Sequence, residues 1–141
     1  MGNSLIRSSM WLLVGLALLL SACATVPLEK TPASNNPAVQ SLVDRAQAAT
    51  LAGRFGDAAA VIERALRIEP RNARVWYEYA RVRMDQSQYR QAENLALRAN
   101  SYAGENRRLR RAIWELIATT RESRGDQQGA AAARARAAAV H

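Results

Sequence analysis

Few residues in this chain are equipped for chemistry, and their positions decide which chemistry is open to it. There is one cysteine, Cys23, inside the stretch LLLSACATVP at residues 18 to 27, and one histidine, His141, at the last position. A lone cysteine makes no intramolecular disulfide, and its thiolate is the strongest nucleophile among the common side chains. A histidine at a chain end sits where fraying is the rule, which is poor ground for a catalytic base. The carboxylates stand among arginines, as in RIEPRN at 67 to 72 and EYARVRMDQ at 78 to 86. That is the pattern of a solvated helix surface rather than of a tuned acid and base pair. Without a glycine-rich phosphate loop or a His and Cys cluster, no catalytic residue, metal or nucleotide is implied, and an enzyme is not expected. What is left is attachment through Cys23, and charge. Twenty Lys and Arg against 12 Asp and Glu give a formal +8, and every basic residue except Lys30 is arginine. Such a balance favours acidic partners, whether phospholipid head groups, nucleic acid, or carboxylate-bearing polymers and peptides, and does not choose among them.

The surroundings of Cys23 say what it is for. Residues 1 to 9 carry one cation, Arg7, and residues 10 to 20 run MWLLVGLALLL without a charge. This is the plan of a secretory signal, because 11 apolar residues are too few to span a bilayer as a permanent helix. The run ends in Leu20, Ser21, Ala22 and Cys23, which resembles the lipobox of bacterial lipoproteins. The resemblance implies a diacylglyceryl group on the Cys23 thiol, cleavage before Cys23 and acylation of the new amine. Ala24 stands where inner-membrane retention would need Asp, so it also implies a lipid-anchored protein on the periplasmic face of the outer membrane. Each buried methylene contributes roughly 0.8 kcal/mol, so two or three acyl chains hold where one binds marginally. A plain secretory signal cut elsewhere and an uncleaved anchor are the other readings open. Export removes nucleic acid from the partners.

Cleavage removes Arg7 and no acid, leaving +7. Residues 24 to 38, ATVPLEKTPASNNPA, hold three of the four prolines and show no helical periodicity. Residues 23 to 38 therefore read as the lipidated cysteine and a tether, after a signal at 1 to 22, with the folded part expected from 39 to 141.

That folded part repeats itself. A shift of 34 aligns Leu42 with Trp76, Ala46 with Ala80, Phe55 with Tyr89, Ala58 with Ala92 and Ala65 with Ala99; a shift of 38 carries Trp76 onto Trp114, Ala80 onto Ala118, Ala92 onto Ala130 and Ala99 onto Ala137. Three units follow, at 39–72, 73–106 and 111–141, with four additional residues between the second and third. In the middle unit Trp76, Tyr79, Ala80 and Arg83 fall at helical spacings, as do Tyr89, Ala92, Ala96 and Ala99 after a break at DQSQ. Two antiparallel helices per unit are the natural reading, giving an all-α chain.

Period, turn position and small residues resemble the tetratricopeptide repeat over about 100 residues. The resemblance implies a short solenoid with alanines at close helix crossings and a concave groove, lined by the first helix of each unit, that takes an extended peptide. The residues matching that groove are Arg74, Tyr77, Arg81, Met84 and Asp85, flanked by Gln40, Val43, Gln47 and Thr50 and by Glu115, Thr119 and Glu122. Arg74 and Arg81 could fork onto a partner carboxylate. Arg45 and Arg83 depart from the pattern, and Arg45 predicts a loosely packed first helix. The last helix, GAAAARARAAAV, reads as a cap or as a face awaiting a partner or a second copy.

The function expected is a non-enzymatic envelope adaptor, a scaffold for pilus or secretin assembly or for an envelope enzyme. The alternative is direct binding of anionic lipid or peptidoglycan through Arg107, Arg108, Arg110 and Arg111, with a solvated basic face as the plainer reading of that stretch. No cofactor beyond the covalent lipid is expected. A Cys23→Ser variant is expected to lose fatty-acid labelling and to accumulate as precursor; normal processing of that variant would remove the anchor.

Overall fold

Asparagines start the first helix of each unit. The computed structural model describes residues 32–140; the signal, Cys23 and its lipobox, the tether up to residue 31 and His141 lie outside the described residues. Helices α1 (Pro37–Leu51), α3 (Ala73–Asp85) and α5 (Arg107–Ser123) follow Asn36, Asn72 and Asn106. The Asn36 side chain accepts from the Ala38 N–H, Asn72 from Arg74 and Val75, and Asn106 from Leu109. Each cap satisfies N–H groups that the helix leaves open and is worth about 1 kcal/mol. The second helices are α2 (Phe55–Ile68), α4 (Tyr89–Tyr102) and α6 (Gln127–Ala138). Among the described residues there are six helices and no strand, arranged as three antiparallel hairpins stacked in chain order.

The hairpin turns share one backbone conformation. Gly53, Ser87 and Gly125, related by the repeat, have φ of 72°, 58° and 79°. Glycine is the residue that this left-handed region favours, and Ser87 holds it at a steric cost. Between helices the contact surface is alanine: Ala46, Ala58, Ala65, Ala80, Ala92, Ala99, Ala118, Ala130 and Ala137 are all buried. Valines and isoleucines fill the layers around them, chiefly Val39, Val43, Ile62, Val75, Ile113 and Ile117. On α6 the buried side is Ala130, Ala133 and Ala137, with Val140 beyond its end.

Three expectations change. Arg45 does not loosen α1: it points to solvent while Val39, Leu42, Val43, Ala46 and Ala49 are buried. The first helix starts at Pro37, before Val39, and the preceding residues are bound. Ala33 is buried, its N–H donates to Gln40 Oε1 at 2.7 Å and its carbonyl accepts from Asn72 Nδ2 at 3.0 Å. Ser34 Oγ donates to Glu69 Oε1 at 2.7 Å, so this piece of tether is clasped to the α2–α3 junction. Finally, the four additional residues lie inside the third unit rather than between units. Trp76 to Trp114 and the turn Ser87 to Gly125 keep the shift of 38, but the starts of α3 and α5 differ by 34. The residues therefore form an extra N-terminal turn on α5, about 6 Å long at 1.5 Å per residue, and the third unit begins at Arg107 rather than at 111.

Polar ties set the hairpins in register. Glu93 on α4 is buried and accepts from Arg121 Nε at 2.8 Å and Arg124 Nη1 at 2.7 Å, while Arg121 also reaches the Gly129 carbonyl. At the earlier junction Arg83, at an aromatic position of the repeat, lies 4.9 Å over the Tyr79 ring and donates to its hydroxyl at 2.6 Å. That hydroxyl donates in turn to Glu63 on α2. Removing one member of a buried ion group leaves the others uncompensated, at a cost of about 3 kcal/mol. A Glu93→Ala variant is thus expected to unfold at least about 10 °C lower in a thermal melt.

Candidate partner-binding face

The N-terminal asparagine caps and the hairpin turns aim the first helices of the three units at one common face. On α3, at its centre, Arg74, Tyr77, Arg81 and Met84 recur at helical spacing. The structure adds a residue the sequence pattern assigned to solvent: Glu78 is 3% exposed. Its carboxylate accepts from Arg74 Nε at 3.1 Å and Arg81 Nη1 at 3.2 Å. The two arginines are thus splinted by an internal acid before any partner arrives. Each gives one N–H to Glu78 and keeps the rest of its fork for another acceptor.

Tyr77 completes the centre. Its ring lies 5.6 Å under the Arg74 guanidinium and packs, with Met84, against the second half of the core. Burial pushes the Tyr77 phenol above its ordinary value, opposed by the positive field of Arg81, so at neutral pH it is a neutral hydrogen-bond donor. Asp85 is exposed at the end of α3. On the flanks, Gln40, Gln47 and Thr50 are half-buried on α1, and Glu115, Thr119 and Glu122 are exposed on α5. Val43 does not belong to this face, being fully buried in the core. Glu122 is tied to Arg134 of α6.

The arginines of the 107–111 stretch lie elsewhere, at the ends of helices rather than on the face. Leu109, Ile113 and Trp114 turn into the core, which leaves Arg107, Arg108 and Arg111 exposed and Arg110 half-buried. Arg111 Nη2 donates to the Val140 carbonyl at 3.1 Å. A hollow of about 480 Å³ opens between Arg107, Arg110, Trp114, Arg136 and Val140. Arg136 stacks on Trp114 at 4.7 Å, as Arg98 stacks on Trp76 at 4.6 Å. Both pairs are separated by 22 residues in the chain, a spacing that would have revealed them. Glu78 was likewise marked by its place four residues after Arg74 and three before Arg81.

Among the described residues no group of three or more His, Cys, Asp or Glu is placed to hold a metal ion, and no helix is long and apolar enough to cross a membrane.

The model of the tetratricopeptide repeat matches residues 49–113. A comparison with curated proteins returns no match. Among solved structures, the globular C-terminal domain of P. aeruginosa LpoP is 42% identical, superposes with a TM-score of 0.73, and aligns over 74% of this chain and 99% of its own. That relative was solved as a separate domain, so the three hairpins correspond to a unit that folds by itself. A repeat of this period, alanine-packed into three hairpins and 42% identical to a solved domain of the same extent, makes the chain a member of the tetratricopeptide-repeat family, related to the C-terminal domain of LpoP.

Proposed function

We propose that this protein is a lipid-anchored adaptor of the bacterial envelope, held at the periplasmic face of the outer membrane through Cys23, whose α3 face docks an acidic segment of an envelope protein. Tetratricopeptide solenoids are protein-interaction modules without chemistry of their own, and family membership supports that part of the reading. The observation that carries the rest is the Arg74, Glu78 and Arg81 group beside Tyr77. An ion group that served packing alone would sit between helices, as Glu93 does. This one lies along a single helix, keeps two guanidinium forks open and stands next to a rigid aromatic ring, the composition of an interface centre. Glu78 restrains both forks, which lowers the ordering cost of binding. The partner class that fits is an envelope protein, such as a cell-wall enzyme or an assembly component, that presents carboxylates on an extended segment.

The anchor is supported by the lipobox residues Leu20 to Cys23, and its consequence is a high local concentration of the adaptor near membrane-bound partners. Affinity capture from membranes with the full-length chain is expected to recover a stoichiometric protein. An Arg74→Gln/Glu78→Gln/Arg81→Gln variant removes the charge group as a whole, leaves no unpaired buried charge and should retain its melting temperature within a few degrees. Its partner recovery is expected to fall at least tenfold, since a lost charge-assisted contact costs about 1.5–3 kcal/mol. Undiminished recovery would remove the α3 face from the interface.

A further inference from the structure

The net charge of the folded domain is concentrated on one edge. Hairpin geometry places the starts of α1, α3 and α5 and the ends of α2, α4 and α6 together; the three hairpin turns lie at the opposite edge. The turn edge, residues 48–58, 82–93 and 118–130, carries five arginines and five carboxylates and is neutral. The other edge carries Arg67, Arg71 and Arg74 at the first junction, against Glu69. At the second junction and the end of α6 it carries Arg107, Arg108, Arg110, Arg111 and Arg136, against Glu105. That leaves +6 of the +7 in residues 32–140 on a single edge. The extra turn of α5 lifts Arg107, Arg108 and Arg110 beyond the start of α3. None of these three, nor Arg136, makes an ion pair among the described residues.

The chain enters the domain at this same edge, because Ala33 and Ser34 are fastened to Asn72 and Glu69. Eight residues separate Cys23 from Pro32, a reach of about 30 Å when fully extended. An acylated Cys23 would therefore tether the domain from its arginine edge.

We infer that the arginine edge is a membrane-docking surface that rests on anionic phospholipid head groups and stands the helices upright, with the α3 face opening sideways. The hollow beside α5 has room for a phosphate head group and a basic lining, with Arg107, Arg110 and Arg136 around it and only Glu105 opposed. The equivalent indoles differ in a way that fits. Trp76 Nε1 donates to the Pro70 carbonyl at 2.8 Å, whereas the repeat-related Trp114 borders the hollow and makes no hydrogen bond among the described residues. An indole with a free N–H beside a basic recess suits the head-group layer.

The inference rests on the anchor reading for its placement, while its chemistry can be tested without anchor or partner. Residues 32–141, which correspond to the separately folding relative, are sedimented with vesicles of phosphatidylethanolamine and phosphatidylglycerol and with vesicles of phosphatidylcholine alone. Binding to the anionic vesicles only, reversed by salt, is expected. Arg107→Gln/Arg108→Gln should lower the partition coefficient about 30-fold, the equivalent of about 1 kcal/mol per cation near an anionic surface. Arg54→Gln/Arg90→Gln, which removes the same charge from the turn edge, should change it less than about twofold. Equal losses in the two variants would reduce the effect to net charge and overturn the edge. So would absence of vesicle binding, binding to the neutral vesicles, or capture by purified peptidoglycan in place of lipid. None of these outcomes bears on partner recovery through Arg74 and Arg81, so the two readings fail separately.

Discussion

The closeness of the helices at their alanine crossings is the constraint on which the rest depends. With Ala46, Ala80 and Ala118 on the first helices and Ala58, Ala92 and Ala130 on the second all buried, backbones meet with a single methyl group between them. Close packing of this kind offers little room: added methylenes there cost about 1–3 kcal/mol by overpacking. It also offers little apolar area per residue, since alanine buries far less than leucine or phenylalanine. The chain offsets this with a few larger side chains between the alanines and with caps and ion groups that hold the hairpins in register. Because the register is fixed, the first helices share a face and their starts share an edge, and both surfaces follow from the same packing.

The period, the turns and the alanines were legible in the sequence because each is local: helical spacing of three, four and seven, a glycine in a turn, a shift that maps small residues on small ones. The less legible features depend on distance along the chain or on a choice between two registers. The clasp of Ala33 by Asn72 joins residues 39 apart, so a proline-rich tether gave no local sign that its last residues were bound. Alignment of the repeat on its large residues sets the four additional residues before Trp114 between two units. Asn106, a cap equivalent to Asn72, was the marker that put them inside the helix. Val43 was assigned to the groove by its place in the repeat, but a β-branched apolar residue beside Leu42 is better used in the core, where it is found.

Burial of charge was the hardest to foresee. Glu93 carries no mark that separates it from solvated glutamates until both of its partners are placed, and the spacing that marks the partners of Glu78 does not show that it is buried. For Glu78 these lie within one helical turn on the same helix; for Glu93 they come from α5 and the turn after it. Desolvating such a carboxylate is costly, and the attraction of two arginines roughly offsets the cost. The return is geometric: an acid that accepts from two directions fixes where two helices, or two guanidinium groups, must stand.

The arginines therefore divide by what they face. Arg83, Arg121 and Arg124 are spent inside the fold, and Arg74 and Arg81 are half spent, held by Glu78 with donors to spare. Those at the start of α5 have no internal acid at all. Placing them at a helix N-terminus sets cations against the positive end of the dipole, a few tenths of a kcal/mol each at low salt, and against one another. The fold tolerates this because the cost is small beside the packing of Leu109, Ile113 and Trp114 on the same turns. Any anionic surface that meets the edge relieves it, so the same repulsion becomes affinity on contact. Since that edge lies at the helix ends and the α3 face lies along their sides, a bilayer and a protein can be held at once, with Arg74 alone standing where the two surfaces meet.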